Sequence, residues 1–180
     1  MGYVCDNPAM GGTELREIQA PLKERYREDA HAAEITLSAT GSLDEGVSCS
    51  VETGRKVAAV AGLHPKTGGD GSLLCSGDML LEALVACAGV TLRAVSTSLG
   101  IQVDGGTVTA EGDLDFRGTL GVDKQAPVGF KSIRLDFDLD TTATQDELDT
   151  LLKLTERYCV VFQTLAKPPE LSAAVQPART

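Results

Sequence analysis

The sequence has no excess of positive charge. Its 180 residues include 16 lysines and arginines against 26 aspartates and glutamates, which gives a formal net charge of −10 at pH 7. Nucleic-acid binding depends on basic contacts to phosphates, and anionic membrane surfaces attract basic segments in the same way. We therefore expect neither a nucleic acid nor a membrane as a partner of this chain.

Long apolar runs are also missing. Charged side chains interrupt every stretch of the first 30 residues, so the sequence predicts no secretory signal there. The most apolar run, residues 79–92, holds 14 residues and contains Glu82. Such a run is too short to span a bilayer.

The cysteines lack a disulfide pattern. There are five of them, which is an odd number, and their spacing is irregular. In a chain without an export signal this favours reduced thiols and predicts a cytoplasmic location. The five cysteines are Cys5, Cys49, Cys75, Cys87 and Cys159.

A packed core is nonetheless expected, because 42% of the residues are hydrophobic and only 23% are charged. The length argues for one domain with an arm. Residues 1–33 are polar and predict an N-terminal arm with a short helix at 23–29. The domain is expected over residues 34–176, followed by a tail at 177–180.

Period-two alternation and flanking turn residues predict several strands. The pattern is strictest over 133–139, where apolar and charged residues alternate, so one face of this strand should be buried and the other solvated. The predicted strands are 34–40, 47–52, 56–61, 107–117, 133–139 and a short one at 171–175.

The strongest helix signal covers Ser76–Leu99. Ser76 can cap the helix, Asp78 suits the first turn, and Gly100 supplies the stop. Apolar residues occupy nearly the whole circumference, so the helix should be buried on most sides.

A second helix is predicted from about residue 144 to Leu165. Thr144 and Glu147 have the spacing of a capping box. The residues expected on its core-facing side are spaced alternately four and three positions apart, which is typical of one face of a helix. They include Thr155 and Cys159.

This order of strands, long helix, strands and helix predicts an α+β fold with a mostly antiparallel sheet. One sheet layer cannot cover a helix that is apolar all round. Either the second helix or a partner subunit must cover the rest, and we therefore expect a homo-oligomer.

Two cysteine segments resemble those of the OsmC/Ohr family (osmotically inducible protein C and organic hydroperoxide resistance protein). Residues 77–93, GDMLLEALVACAGVTLR, resemble the family's first cysteine helix, and residues 155–161, TERYCVV, resemble its second cysteine segment. The separation of 72 positions from Cys87 to Cys159 suits the family layout. The resemblance covers about residues 34–175. It implies mostly antiparallel sheets wrapped around long central helices in an intertwined homodimer.

The resemblance also implies thiol peroxidase chemistry that reduces organic hydroperoxides in oxidative-stress defence. Cys87 would be the thiol that attacks the peroxide and becomes a sulfenic acid. Cys159 would condense with it to a disulfide, which a dithiol reductant then opens. The implied partners are a second copy of the chain, an organic hydroperoxide and a dithiol reductant.

The sequence departs from the family's peroxidases at one position. Those proteins place an acid ten residues before the first cysteine, where it orients an arginine. Gly77 occupies that position here, and Asp78 would face away from Cys87 on a straight helix.

A cation that activates Cys87 must come from another segment. Cys87 is about 16 Å from the start of its helix, beyond the reach of the helix dipole, and Arg93 points elsewhere. The candidate arginines are Arg25, Arg27 and Arg55, and the sequence does not choose among them.

The alternative is a non-catalytic function. Buried cysteines commonly act as small hydrophobic residues, so the chain could be an OsmC-fold dimer that binds an apolar small molecule or senses oxidants through Cys87. We expect no cofactor and no metal, because His64, Cys75 and Cys87 do not have the spacing of a zinc site. Cys49 is expected in a strand core and Cys5 in the arm.

Overall fold

A computed structural model of the chain describes residues 11–54 and 57–176. Within these ranges the chain forms five α-helices, six strands and two short 3-10 turns. Cys5, Arg55 and the tail at 177–180 lie outside the described residues.

Four short strands form the first sheet: β1 (Gly41–Leu43), β2 (Ser48–Glu52), β3 (Ala58–Gly62) and β4 (Leu74–Cys75). Their order is β1-β2-β3-β4, with antiparallel pairing up to β3 and parallel pairing between β3 and β4. None of these fifteen residues is fully buried, so within residues 11–54 and 57–176 the sheet is not covered as a core layer on either face.

The predicted strand at 34–40 is wrong. β1 begins at Gly41, and the last bond of its ladder runs from the Glu52 N–H to the Thr40 carbonyl at 3.2 Å. Because β2 ends at Glu52, no described strand lies beside residues 34–39. Ile35 and Leu37 do alternate with polar residues, but the described part of the chain offers no strand to pair with them.

The second sheet is a hairpin of β5 (Gly105–Asp113) and β6 (Ser132–Asp140), which pair antiparallel over nine positions. Burial alternates along β6 as the sequence predicts. β5 ends earlier than predicted, because the Asp115 side chain accepts a hydrogen bond from the Arg117 N–H and begins a short helix, α3 (Phe116–Thr119).

The long central helix, α2 (Ser76–Leu99), has the predicted bounds. Its N-cap is Cys75 rather than Ser76, and no side chain caps it. Gly100 ends the helix at φ 73°, a left-handed conformation that glycine adopts without strain. The buried residues form one stripe only, Leu84, Ala88, Leu92, Val95 and Ser96.

By length and composition, α2 could cross a membrane, since an 18-residue window reaches a mean hydropathy of 1.6. The apolar part of this helix is therefore longer than the 14 residues, 79–92, on which the sequence-based expectation relied. The core helix of a globular domain passes the same test, and α2 packs against β5 and three other helices.

Two consecutive helices replace the single second helix that the sequence predicts: α4 (Gln145–Tyr158) and α5 (Val160–Ala166). The break is at Cys159, whose φ of −72° and ψ of 109° are extended. The Cys159 N–H still donates to Thr155 in α4, while its carbonyl accepts from Gln163 in α5, both at 2.9 Å. The predicted strand at 171–175 is also wrong, because residues 168–176 have no regular structure.

The core has two clusters, and both include the buried stripe of α2. In the first, Leu92 and Val95 pack with Val103 and Leu151. In the second, Leu84 and Ala88 pack with Cys159. The inner face of β6 lines both clusters.

The arm forms a longer helix than predicted, α1 (Gly12–Glu28), with Pro21 inside it. It meets the end of α2 through a close approach at Gly12, where an added Cβ would lie 2.6 Å from the Thr97 carbonyl oxygen. The Arg16 guanidinium donates to the Ser98 carbonyl at 3.4 Å. This contact places a cation at the negative end of the α2 dipole.

The capping box of α4 gives a stability prediction. The Thr144 hydroxyl accepts from the Glu147 N–H at 3.4 Å, and the Glu147 carboxylate accepts from the Thr144 N–H at 2.8 Å. Thr144→Ala should lower the free energy of unfolding by about 1 kcal/mol, as measured by urea denaturation. Thr150→Ala is the control, since this hydroxyl only bonds back to the Asp146 carbonyl within α4. Equal losses in both variants would contradict the prediction.

Candidate thiol site

Two helical segments bring Cys87 and Cys159 together. Cys87 lies midway along α2 and is half-buried, and Cys159 lies at the α4–α5 break and is 0% exposed. Both pack in the second core cluster, against Leu84 and Ala88. Both cysteines are free thiols, and each affects the pKa of the other.

The surroundings of the pair are apolar. The two strands of the hairpin and helix α5 supply the walls. The residues that pack against the cluster are Val108, Ala110, Ile133, Leu135, Phe137, Val161, Phe162 and Leu165.

Cys87 is the more acidic thiol of the pair. Burial raises the pKa of Cys87, but hydrogen bonds from the Val161 N–H, the Cys159 thiol, the Val160 N–H and the Thr91 hydroxyl lower it, and the net pKa lies below the ordinary value of 9.0. The break at Cys159 explains the two backbone donors. Because α5 starts at Val160, its first N–H groups have no carbonyl one turn earlier in α5 to bond.

The pKa of Cys159 shifts in the opposite direction, upward. Burial is the largest cause and raises the pKa of the Cys159 thiol. The Phe162 N–H opposes this, the neighbouring Cys87 raises the pKa again, and the Val161 N–H has the smallest, lowering effect. When the pair loses one proton, the charge is therefore favoured on Cys87, and Cys159 keeps its proton. A thiolate is the nucleophilic form of cysteine, so Cys87 is the thiol of the pair that reaches this form more readily.

The activating groups differ from those expected. The sequence analysis calls for a cation from another segment, but among the described residues the groups that lower the pKa of Cys87 are all neutral donors. Thr91 could have been found from the sequence, since it follows Cys87 by one helical turn. The N–H groups of Val160 and Val161 could not, because the helix break has no proline or glycine to signal it.

The candidate arginines lie elsewhere. Arg25 and Arg27 belong to α1, and Arg27 pairs with Glu24 at 2.5 Å on the surface. Arg55 lies outside the described residues. The Arg93 guanidinium donates to the Val103 carbonyl. Asp78 is exposed in the first turn of α2.

The remaining described thiols are separate from the pair. Cys49 lies in β2, and Cys75 precedes α2, both half-buried. Cys75 lines a cavity of about 360 Å³ with His64, whose ring stacks on Phe116 at 4.9 Å. Within residues 11–54 and 57–176 no group of three or more His, Cys, Asp or Glu side chains could hold a metal ion.

Solved structures share this fold. The chain is similar to an OsmC-like protein from Mycoplasma pneumoniae, with a TM-score of 0.62 and 18% identity over 75% of this chain and 90% of that one. It is similar to an organic hydroperoxide resistance protein OsmC from Legionella pneumophila, with a TM-score of 0.59 and 18% identity over 74% and 93%. For the organic hydroperoxide resistance protein OhrB of Bacillus subtilis the TM-score is 0.51 at 15% identity, over 74% and 93%.

No curated protein matches the sequence. The family described as OsmC-like protein matches residues 69–173, which is more than half of the chain and includes both Cys87 and Cys159. The match agrees with the α+β architecture and with the resemblance of the two cysteine segments. The chain therefore belongs to the OsmC-like protein family.

Proposed function

We propose that this chain is a two-cysteine peroxidase that reduces organic hydroperoxides, with Cys87 as the nucleophile and Cys159 as the resolving thiol. The observation that carries the proposal is the unequal thiol pair. In one apolar cluster, the pKa of half-buried Cys87 is lowered and that of fully buried Cys159 is raised. Two family members with the same fold are named organic hydroperoxide resistance proteins.

The reaction uses the difference between the two sulfurs. The Cys87 thiolate attacks the terminal peroxide oxygen, the O–O bond breaks, and the leaving alkoxide takes up a proton to form the alcohol. Cys87 is then a sulfenic acid. The Cys159 sulfur attacks the Cys87 sulfur, a disulfide forms, and hydroxide leaves with the Cys159 proton as water. A dithiol reductant supplies two electrons and two protons to restore both thiols.

A mostly apolar cavity that shares residues with the thiol cluster, and whose lining also includes Lys131 and Ser132, supports an alkyl substrate. It has a volume of about 530 Å³ and lies between α2, β6 and α5. Leu84 and Phe162 form its inner wall and also belong to the thiol cluster. An alkyl group in this cavity would lie one helical turn from Cys87, whereas hydrogen peroxide would gain nothing from its apolar walls.

We also propose that two copies of the chain form the working unit. The side of α2 opposite the buried stripe is uncovered: Ala83 and Ala86 are exposed, and Val90 is 73% exposed. Among the residues that the structure describes, none forms a layer over the first sheet, and none pairs as a strand with the extended segments 34–39 and 171–175, which carry exposed apolar side chains. A second copy could cover these surfaces together, since exposed apolar area of this extent is typical of interfaces.

The alternative function is a thiol redox sensor or an apolar small-molecule binder on the same fold. It is favoured by one observation: no lysine or arginine among the described residues lowers the pKa of Cys87. A sensor needs oxidation of Cys87 only once per signal, whereas a peroxidase needs repeated turnover.

Peroxide treatment separates these functions. One equivalent of cumene hydroperoxide added to the reduced protein should give one intramolecular disulfide, Cys87–Cys159, detected by peptide mass spectrometry. Cys87→Ser should abolish peroxide consumption, because the nucleophile is lost. Cys159→Ser should consume about one equivalent and stop, with Cys87 trapped as sulfenic or sulfinic acid. Cys49→Ser is the matched control and should behave as wild type.

Three outcomes of this experiment distinguish the peroxidase from the sensor. Turnover with a dithiol reductant supports the peroxidase. Disulfide formation without turnover supports the sensor. If wild type consumes no peroxide and both thiols stay free, the peroxidase proposal fails.

The pKa difference predicts unequal alkylation. In a short iodoacetamide pulse near neutral pH, Cys87 should react faster than Cys49, Cys75 and Cys159, because its lowered pKa favours the thiolate and its side chain is partly exposed. Its rate should fall as the pH drops through its pKa, because the thiolate is then protonated. Site-resolved mass spectrometry measures all rates in one sample, and an inert Cys87 would contradict the assignment.

Light scattering tests the assembly. The apolar α2 face should hold two copies together at micromolar concentration. Val90→Glu should weaken the dimer at least tenfold, because a carboxylate would lose water in an apolar contact. Thr150→Glu, on the exposed face of α4, is the control. A stable wild-type monomer at these concentrations would rule out the dimer.

A further inference from the structure

Two cavities lie on either side of Phe130. The first, the alkyl cavity, is the one of about 530 Å³ between α2, β6 and α5, and it contacts α2 at Leu80 and Leu84. The second, the His64 cavity, has a volume of about 360 Å³ and contacts α2 at Leu81. Among the described residues, Phe130 alone lines both cavities. Its ring is therefore a wall that the two cavities share.

Backbone contacts hold the Phe130 ring in this place. A Cβ added at Gly112 on β5 would lie 2.4 Å from a ring carbon, so the ring lies directly against the strand backbone. On the other side, a Cβ added at Gly77 of α2 would lie 3.5 Å from the tip of the ring. The next residue, Lys131, donates its N–H to the Asp113 carbonyl at 2.8 Å and so continues the hairpin ladder. The wall thus spans the gap between β5 and α2.

The two cavities differ in their chemistry. The alkyl cavity has mainly apolar walls, and Leu84 and Phe162 connect it to the thiol cluster. The His64 cavity also presents side chains with polar or ionisable groups, which are His64, Lys66, Asp78 and Cys75. An alkyl chain gains binding free energy for each methylene that it removes from water. In the alkyl cavity it can gain this only as far as the ring of Phe130.

The ring closes the end of the alkyl cavity that is remote from the thiols. Cys87 and Gly77 are ten positions apart on α2, which corresponds to about 15 Å along the helix. Leu84 precedes Cys87 by one turn and Leu80 by two, and both line the cavity. A hydroperoxide whose O–O group reaches Cys87 would therefore extend its alkyl group along α2 toward Phe130.

We propose that Phe130 is a specificity-determining residue that limits the length of the alkyl group in the cavity, so that the substrates that fit are compact alkyl and aryl hydroperoxides. The outer methylenes of a longer chain meet the ring and stay in water, where they add nothing to binding. The inference rests on the proposed peroxidase function. It adds which class of organic hydroperoxide the site accepts, and it assigns the limit to one side chain.

Binding of straight-chain alcohols tests the wall without any peroxide. These alcohols are the products of the proposed reaction, and isothermal titration calorimetry can compare them from butanol to decanol. In the wild type, the affinity should rise about fourfold with each methylene and level off where the chain reaches Phe130. Phe130→Ala joins the two cavities, so the affinity should keep rising past that length, again by about fourfold per methylene.

Cys75 reports where the longer chain goes. It lines the His64 cavity, so decanol bound to Phe130→Ala should slow the alkylation of Cys75 by iodoacetamide. In the wild type, decanol should leave this rate unchanged, because the Phe130 ring keeps the chain out of the second cavity.

Phe116→Ala is the matched control. This second phenylalanine is half-buried like Phe130, and it lines the His64 cavity but not the alkyl cavity. Its removal leaves the wall in place, so the affinity should level off at the wild-type length. Circular dichroism melting shows whether each variant is folded. If Phe130→Ala does not fold, Phe130→Leu keeps an apolar contact with Gly112 and should move the limit in the same direction.

The outcomes are separable from those of the peroxide test, because alcohol binding needs no turnover. A length limit that moves to longer chains in Phe130→Ala, with protection of Cys75, supports the role of Phe130 even if the wild type consumes no peroxide. An unchanged limit in the folded variant overturns it, and so does a moved limit without protection of Cys75. An equal shift in Phe116→Ala also overturns it, because general loosening would then be responsible.

Two further results bear on the wall. If the wild type binds none of the alcohols, the inference fails even where peroxide is consumed. Where turnover is present, Phe130→Ala should raise kcat/KM for dodecyl hydroperoxide relative to cumene hydroperoxide, and an unchanged ratio would contradict the limit.

Discussion

The buried stripe of α2 is the contact on which the rest of the chain depends. Leu84, Ala88 and Leu92 lie along it, and the hairpin and helices α4 and α5 each pack against α2. Helices packed in this way approach to about 8–10 Å between axes. A cysteine at the right position on each helix is therefore brought near its partner by ordinary core packing. The thiol pair is a property of the core itself rather than of a surface loop.

The chemistry depends on a local irregularity in that core. A continuous helix through Cys159 would engage the N–H groups of Val160 and Val161 with carbonyls in α4. The extended conformation of Cys159 releases them, and they face Cys87. Thiolate stabilisation then comes from oriented dipoles in an apolar cluster, where each hydrogen bond is stronger than in water.

Much of this arrangement could be predicted from local patterns. Residue spacing predicts Cys159 on the inward side of the second helix, the resemblance of the two segments pairs it with Cys87, and Thr144 with Glu147 marks the start of α4. The break at Cys159 could not be predicted, because the surrounding residues suit a helix and only tertiary packing interrupts it. The segments 34–40 and 171–175 alternate as strands do, yet a strand needs a neighbour, and alternation carries no information about whether one exists. For the same reason the uncovered face of α2 was predicted as apolar, but not which element covers it.

The two cysteines lie in segments of different regularity: Cys87 within one long helix and Cys159 between two shorter ones. Cys87 is fixed near the middle of a 24-residue helix, held on both sides by continuous hydrogen-bonded turns. Cys159 sits at a joint between a 14-residue helix and a 7-residue helix. Bringing two cysteines into a covalent bridge requires Cα atoms about 5.5–6 Å apart. If the proposed disulfide forms, a shift of the short α5 about Cys159 would therefore accommodate it with less disruption than bending α2, and oxidation of the pair would reposition α5.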